Sequence, residues 1–251
     1  MDEEMAQMVE EGFQVFAEKV LSPLPSLHKV IPVEKSIPVE VQVFPYEQAS
    51  ALMSNAKSFA VRRCICRVQK AFVGEPCKYP EEVCLVFAPI EGHFDDDPNA
   101  RVVTKEEALK ILRETEEAGL IHSSSNIKEG HYYICNCCTC CCGLLRAISE
   151  FGIPTAITHS DFHTVVDAET CLGCEDCVER CQFGALAVPD DVCEVDYARC
   201  VGCGVCVSAC PADALRLERR PEGQTPPLPA DNDEWMVWRA KERGIRLEQV
   251  L

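Results

Sequence analysis

Apolar residues recur at helical spacing from Glu3 to Leu21, where Met5, Met8, Val9, Phe13, Phe16, Ala17 and Val20 alternate with acidic positions. That period predicts an amphipathic helix whose stripe packs on a core or a second subunit, ended by Ser22-Pro23-Leu24-Pro25. From Val30 to Val43 the pattern changes to alternation interrupted by Pro32 and Pro38, which predicts edge strands. A helix is expected over about Tyr46 to Ser58, then a strand from Phe59 to Val68. Thr104-x-x-Glu107 forms a capping box, opening a helix that buries Ala108, Leu109, Leu112 and Ala118 and stops at Gly119. Leu120 to His122 and His131 to Ile134, separated by the turn-prone Ser123-Ser124-Ser125-Asn126, predict a hairpin. Gly143 to Gly152 has helical periodicity again, closed by Gly152 and Pro154.

These elements place the chain in the α+β class. Helix followed by hairpin is the order that ends a winged helix, so the N-terminal mixed helix/strand domain has a winged-helix-like reading. DNA binding does not follow, because Glu106, Glu107, Glu114, Glu116 and Glu117 outnumber Lys105, Lys110 and Arg113 on the helix that would have to enter the groove. The net charge of −17 argues against nucleic acid in the same way. It suits instead an acidic protein steered to basic docking surfaces on redox partners, or one kept soluble by its charge. No apolar run reaches the roughly 18 residues of a membrane span. The acidic start Met1-Asp2-Glu3-Glu4 is unlike a secretory leader, so a cytoplasmic location is expected.

The chemistry lies in 19 cysteines among 251 residues. A load this heavy in a globular composition implies metal in a reducing, anaerobic cytoplasm. Eight fall into two matching runs, Cys171-x2-Cys174-x2-Cys177-x3-Cys181 and Cys200-x2-Cys203-x2-Cys206-x3-Cys210-Pro211. Short fixed gaps let thiolates converge on one inorganic core, and two such runs read as two [4Fe–4S] clusters, whereas four disulfides would suit a secreted protein. The flanks repeat too, Phe183-Gly184-Ala185-Leu186 matching Ala212-Asp213-Ala214-Leu215.

Ten further cysteines form two upstream groups. Cys64, Cys66, Cys77 and Cys84 make the first, and Cys135, Cys137, Cys138, Cys140, Cys141 and Cys142 the second. They predict at least one additional metal centre, with an iron–sulfur cluster, tetrahedral zinc and redox-active thiols as the competing chemistries. On a strand, Cys135 and Cys137 share one face and Cys138 lies on the other, so not all can reach one cluster. Cys140 to Cys142 would sit at a helix N-terminus, where exposed amides favour thiolates. Cys64 and Cys66 are expected on one strand face, with Arg63 and Arg67 offsetting cluster charge. Cys193 reads as a buried structural thiol, and His131 and His163 as minor candidates to replace a thiolate. No nucleotide-binding glycine motif is present, and no catalytic residue can be named.

From Asp161 to Leu217 the chain resembles the bacterial dicluster ferredoxins, a family with this same Cys spacing. The resemblance implies that the fourth cysteine of each run crosses to the other cluster. Cys171, Cys174, Cys177 and Cys210 would then hold one cluster, and Cys200, Cys203, Cys206 and Cys181 the other. Gln182 departs from the family pattern, which has Pro after the fourth cysteine. The wider order, Cys-x-Cys-Arg, two separated cysteines, a capped helix and Cys-Asn-Cys-Cys-x-Cys-Cys-Cys ahead of a ferredoxin, looks like a little-characterised group of iron–sulfur proteins of anaerobes.

The expected organisation is an N-terminal helix and linker (1–29), a cysteine-rich α+β domain (30–158), a ferredoxin-like dicluster domain (159–218), and a Pro-rich linker with a C-terminal docking helix (219–251). A multicluster electron carrier follows. A reductase with a catalytic upstream centre, and an iron–sulfur redox sensor, are the alternatives.

Overall fold

The computed structural model describes residues 1–250 and mixes helix and strand throughout. Its helices are α1 (Glu3–Glu11), α2 (Phe13–Phe16), α3 (Ala49–Leu52), α4 (Ile65–Phe72), α5 (Lys105–Glu117), α6 (Gly143–Phe151), α7 (Asp176–Arg180) and α8 (Asn232–Arg243). Its strands are β1 (His28–Ile31), β2 (Ser58–Arg63), β3 (Glu82–Ala88), β4 (Ala100–Val103), β5 (Ile121–Ser125), β6 (Tyr133–Cys137), β7 (Ile157–Thr158), β8 (Phe162–Val166), β9 (Leu186–Ala187), β10 (Glu194–Val195) and β11 (Leu215–Arg219). The first seven strands form one sheet in the order β4-β2-β3-β6-β5-β1-β7. All neighbours in it are antiparallel except β1 and β7.

The two faces of this sheet differ in chemistry. Leu85 pairs with Ile134 across β3 and β6, and both belong to an apolar core with Phe59, Val61, Phe87 and the α5 residues Ala108, Ile111 and Leu112. Side chains alternate along a strand, so the adjoining Cys84 and Cys135 point to the opposite face, and Cys137 joins them two residues on. One face is therefore hydrocarbon, and the other carries thiols.

Half of the expected capping box forms: the Thr104 hydroxyl accepts from the Glu107 amide, but the Glu107 carboxylate pairs with Arg101, and Gly119 lies in the left-handed region after α5. The β5–β6 hairpin also forms, but it lies inside the sheet between β3 and β1 and does not project as a wing. Other expectations are corrected. The Tyr46–Ser58 helix shrinks to a single 3-10 turn and the four-residue α3. Of the edge strands, only β1 exists, and it is interior, while Val39 is fully exposed in a loop. The strand from Phe59 stops at Arg63, and α4 takes over.

The reason for that last miss is legible in burial. On α4 the residues facing inward are Arg67, Gln69 and Lys70, while Ile65 and Phe72 face solvent, so the helix is amphipathic in reverse. The N-terminal stripe is split. Met5, Met8, Val9 and Phe16 are exposed, and Ala6, Phe13, Ala17 and Leu21 are buried across a helix that breaks at Gly12. Ion pairing holds it in place: Glu10 accepts from Arg146, Lys70 and Gln69, and the Arg146 guanidinium lies 4.4 Å over the Phe13 ring.

The C-terminal segment folds back on its own chain. Trp235 Nε1 donates to the Ser26 carbonyl, and the buried Arg239 donates to the carbonyls of Val20, Pro23 and Pro25.

Arg146 hydrogen bonding, with help from Gln69 and Lys70, holds the Glu10 carboxyl down at about 2 against an ordinary 4.5. A carboxylate depressed by folding stabilises fully above its unfolded value, and that contribution is lost as pH falls through the folded one. Acidification from pH 4.5 to 2 should therefore loosen α1, read as faster amide exchange over residues 3–11. Glu10→Gln should show the same loosening at neutral pH.

Candidate metal centres

Four groups of cysteines emerge, and each is built differently. In the C-terminal unit, β8 pairs with β11 and β9 with β10, and the two cysteine runs lie between them. One cavity is lined by Cys171, Cys174, Cys177 and Cys210, with Cys193 beside them. A second is lined by Cys181, Cys200, Cys203 and Cys206. Each cavity thus takes three cysteines of one run and the last of the other.

The backbone repeats with the same symmetry. Left-handed residues recur 29 positions apart, at Gly173 and Gly202, Glu175 and Gly204, and Gly184 and Asp213. At Gly202 a side chain is impossible, because a Cβ would lie 2.0 Å from the Phe162 carbonyl oxygen. Burial pushes the Cys206 thiol up to about 12. Such a thiol becomes a thiolate only if a cation is bound beside it. The donor set and the thiol-lined cavities fit [4Fe–4S] clusters.

Upstream, the ten cysteines separate. Cys77, Cys138, Cys140 and Cys141 have sulfurs all within 4.8 Å of one another. Adjacent sulfurs are 3.5 Å (Cys77–Cys140) and 3.7 Å (Cys77–Cys138 and Cys140–Cys141) apart. Arg67, 1 % exposed, directs its guanidinium at Cys138 Sγ, 3.6 Å away, and donates to the carbonyls of Pro80 and Asn136. Arg63 does not share this role, because it pairs with Glu81 at the surface.

The other six form a ring. Each thiol lies close enough to two others to influence their ionisation, in the order Cys64, Cys66, Cys142, Cys137, Cys135, Cys84 and back to Cys64. Cys84, Cys135 and Cys137 rise from the sheet. Cys64 and Cys142 are the N-cap residues of α4 and α6, and neither caps its helix with its side chain. Two helix N-termini therefore direct free amides and positive dipole ends at the thiols. Cys64 and Cys66 sit on a helix start, which corrects the expected strand face. Among the described residues, no three of the six lie within 4.8 Å of one another.

Hydrogen bonds from Cys66 and Cys84 hold the Cys64 thiol down to about 2. Thiol hydrogen bonds, burial and mutual repulsion push Cys66, Cys84, Cys135, Cys137 and Cys142 up.

The histidine candidates drop out. His131 is held by Ser124 and the Ile127 carbonyl, and His163 stacks edge-on against Tyr197 away from the cysteine cavities. Two further residues take part, Cys193 as the buried thiol expected and Gln182 in a role that its departure from the dicluster pattern did not disclose. Cys193 is buried with its amide donating to Cys171 Sγ and its thiol 3.5 Å from Cys177. Gln182 joins the two halves of the protein: its side chain accepts from the Thr139 amide and donates to the Gly119 carbonyl. A cavity of about 450 Å³, lined by Met8, Phe13, Phe16, Ile65, Cys66 and Cys141 among others, touches both upstream sites.

Compared with known protein families, residues 193–216 match the 4Fe-4S binding domain. The match takes in Cys200, Cys203, Cys206 and Cys210, so the chain carries an iron–sulfur binding unit there. No curated protein matches the chain. Among the described residues, no helix is long and apolar enough to cross a membrane.

Gln182→Ala leaves the Thr139 amide without its partner and should lower stability by about 1–3 kcal/mol. Urea denaturation measures the loss, and limited proteolysis between residues 152 and 171 should quicken as the two halves part.

Proposed function

We propose that this protein is a multicluster iron–sulfur electron carrier in which the two ferredoxin-type sites serve an upstream metal centre. When bound, [4Fe–4S] clusters accept and release single electrons. Cys171, Cys174, Cys177 and Cys210 would hold one, and Cys181, Cys200, Cys203 and Cys206 the other. The observation that carries this reading is packing. Cys203, Val201 and Phe183 of the C-terminal unit share one apolar cluster with Cys135, Cys137 and Cys142 of the ring.

The contact is held from several sides. Gln182 and Arg180 dock on the end of α5, Arg180 through the carbonyls of Glu116 and Glu117. The Val33 amide donates to the Cys203 carbonyl, and the Ser36 hydroxyl to that of Gly204. Arg220 donates to the carbonyls of Ser160 and Cys200. These bonds fix the second thiol-lined cavity against the thiol face of the sheet and exclude water between them. The acidic surface would orient the chain on basic partners, and the cytoplasm of an anaerobe fits its thiol content.

A second reading is favoured by the cavity beside Cys66 and Cys141. Its walls are largely apolar, so a small apolar substrate could approach the upstream thiols directly, making the chain a reductase. Reoxidation of the reduced protein only when a substrate is added would select that reading.

Gly202→Ala tests the carrier. The new methyl group cannot fit against Phe162, so the variant should lose about four irons per chain. Cys171, Cys174 and Cys177 should keep theirs, and a low-potential donor should no longer reduce the upstream centre. Unchanged upstream reduction, followed by EPR after rapid mixing, would sink the relay.

A further inference from the structure

We infer that the ten upstream cysteines form two separate metal sites: a six-thiolate seat for one iron–sulfur cluster larger than a cubane, and a four-thiolate seat for a single zinc ion. The partition rests on the carrier reading only in assuming that iron–sulfur clusters are inserted into this chain.

The two seats differ in size and in wall. Tetrahedral zinc has Zn–S bonds of about 2.3 Å, which sets sulfurs roughly 3.8 Å apart. Three of the six sulfur pairs among Cys77, Cys138, Cys140 and Cys141, at 3.5 to 3.7 Å, already match that edge, and all lie within 4.8 Å. A cubane holds its cysteine sulfurs farther apart, because each binds a different iron of a multi-atom core. The C-terminal cavities supply the comparison within one molecule: among the described residues, no three of their cysteine sulfurs approach within 4.8 Å. The four-thiolate seat also brackets Thr139, the residue that Gln182 grips, so a redox-silent ion there would fix the docking loop.

The ring is too wide for one ion and has too many donors for one cubane. Both common clusters take four cysteines, and here six thiols converge: Cys84 and Cys135 adjoin on the thiol face of β3 and β6, Cys135 and Cys137 pack with Cys142, and Cys64, Cys66 and Cys142 stand at the starts of α4 and α6. Its donors come from β3, β6 and two helix starts, and those elements are fixed by the sheet register and by packing. The Ser123 hydroxyl lies 3.7 Å from Cys137 Sγ and adds a polar contact to the ring.

The test uses full-length protein purified without oxygen, with iron, zinc and sulfide counted per chain and Mössbauer spectra taken on 57Fe-enriched material. Wild type should carry about one zinc ion. Cys64→Ser/Cys135→Ser should keep it while losing more than about four irons. Cys77→Ser/Cys140→Ser should lose the zinc and keep the iron. Because a ring variant could misfold, the wild-type spectrum stands as a second readout, and more than about four irons should fall outside the cubane components. A ring variant that loses about four irons or fewer, or wild type with cubane signals alone, overturns the larger cluster. Wild type without zinc, or a Cys77 variant that sheds iron, overturns the partition. Iron retained by the ring variant counts the C-terminal unit by itself, so a value short of about eight sinks the two-cluster carrier without touching the ring.

Discussion

Thiols buried beside one another cannot all lose their protons, and the upstream half of this protein is organised around that repulsion. Six converge between a sheet face and two helix N-termini, and four more crowd around Arg67. Thiol–thiol contacts and burial push the Cys66 and Cys142 thiols up. The opposite face of the sheet carries no such conflict. There Phe59, Val61, Leu85, Phe87 and Ile134 close on α5 as an ordinary hydrocarbon core, which gives the thiol face a rigid floor.

The C-terminal unit does not hang from this domain by a tether. Its second cysteine run contributes Val201 and Cys203 to the apolar cluster that contains Cys137 and Cys142, and backbone carbonyls of that run accept from Val33, Ser36 and Arg220. A buried ion pair between Lys29 and Asp161, 2.5 Å apart, ties β1 to the entry of the unit. The substitution of Gln182 for the proline of the dicluster pattern belongs to the same design. Proline would have neither an acceptor for Thr139 nor a donor for Gly119, so the residue that departs from the pattern is the one that makes the junction.

Much of this was legible in the sequence where local chemistry and burial agree. Thr104 caps α5, Gly152 ends α6, and strand alternation separated Cys135 and Cys137 from Cys138, which the structure assigns to different groups. The misses share a cause. On α4 the buried side is Arg67, Gln69 and Lys70, so the segment read as a strand, and on α1 the apolar side faces out, so hydrophobic periodicity pointed to the wrong face there. Buried polar residues satisfied by distant carbonyls and carboxylates leave no periodic signal. The ring itself was hidden for a related reason: its members come from β3, β6 and the starts of α4 and α6, and spacing along the chain does not encode convergence from four elements.

The two thiol-lined cavities of the C-terminal unit meet the outside world unequally. Around the second, the chain's own Phe162, Ser36 and Gly202 stand in near contact, and the upstream domain covers its flank. Around the first, Cys174 and Leu172 are exposed, with Leu172 at 70 %. The molecule is insulated at one terminal and bare at the other. If the two cavities hold clusters as proposed, a partner would meet the first at the Leu172 rim, and a wall placed there would close that approach while leaving the interior contacts intact.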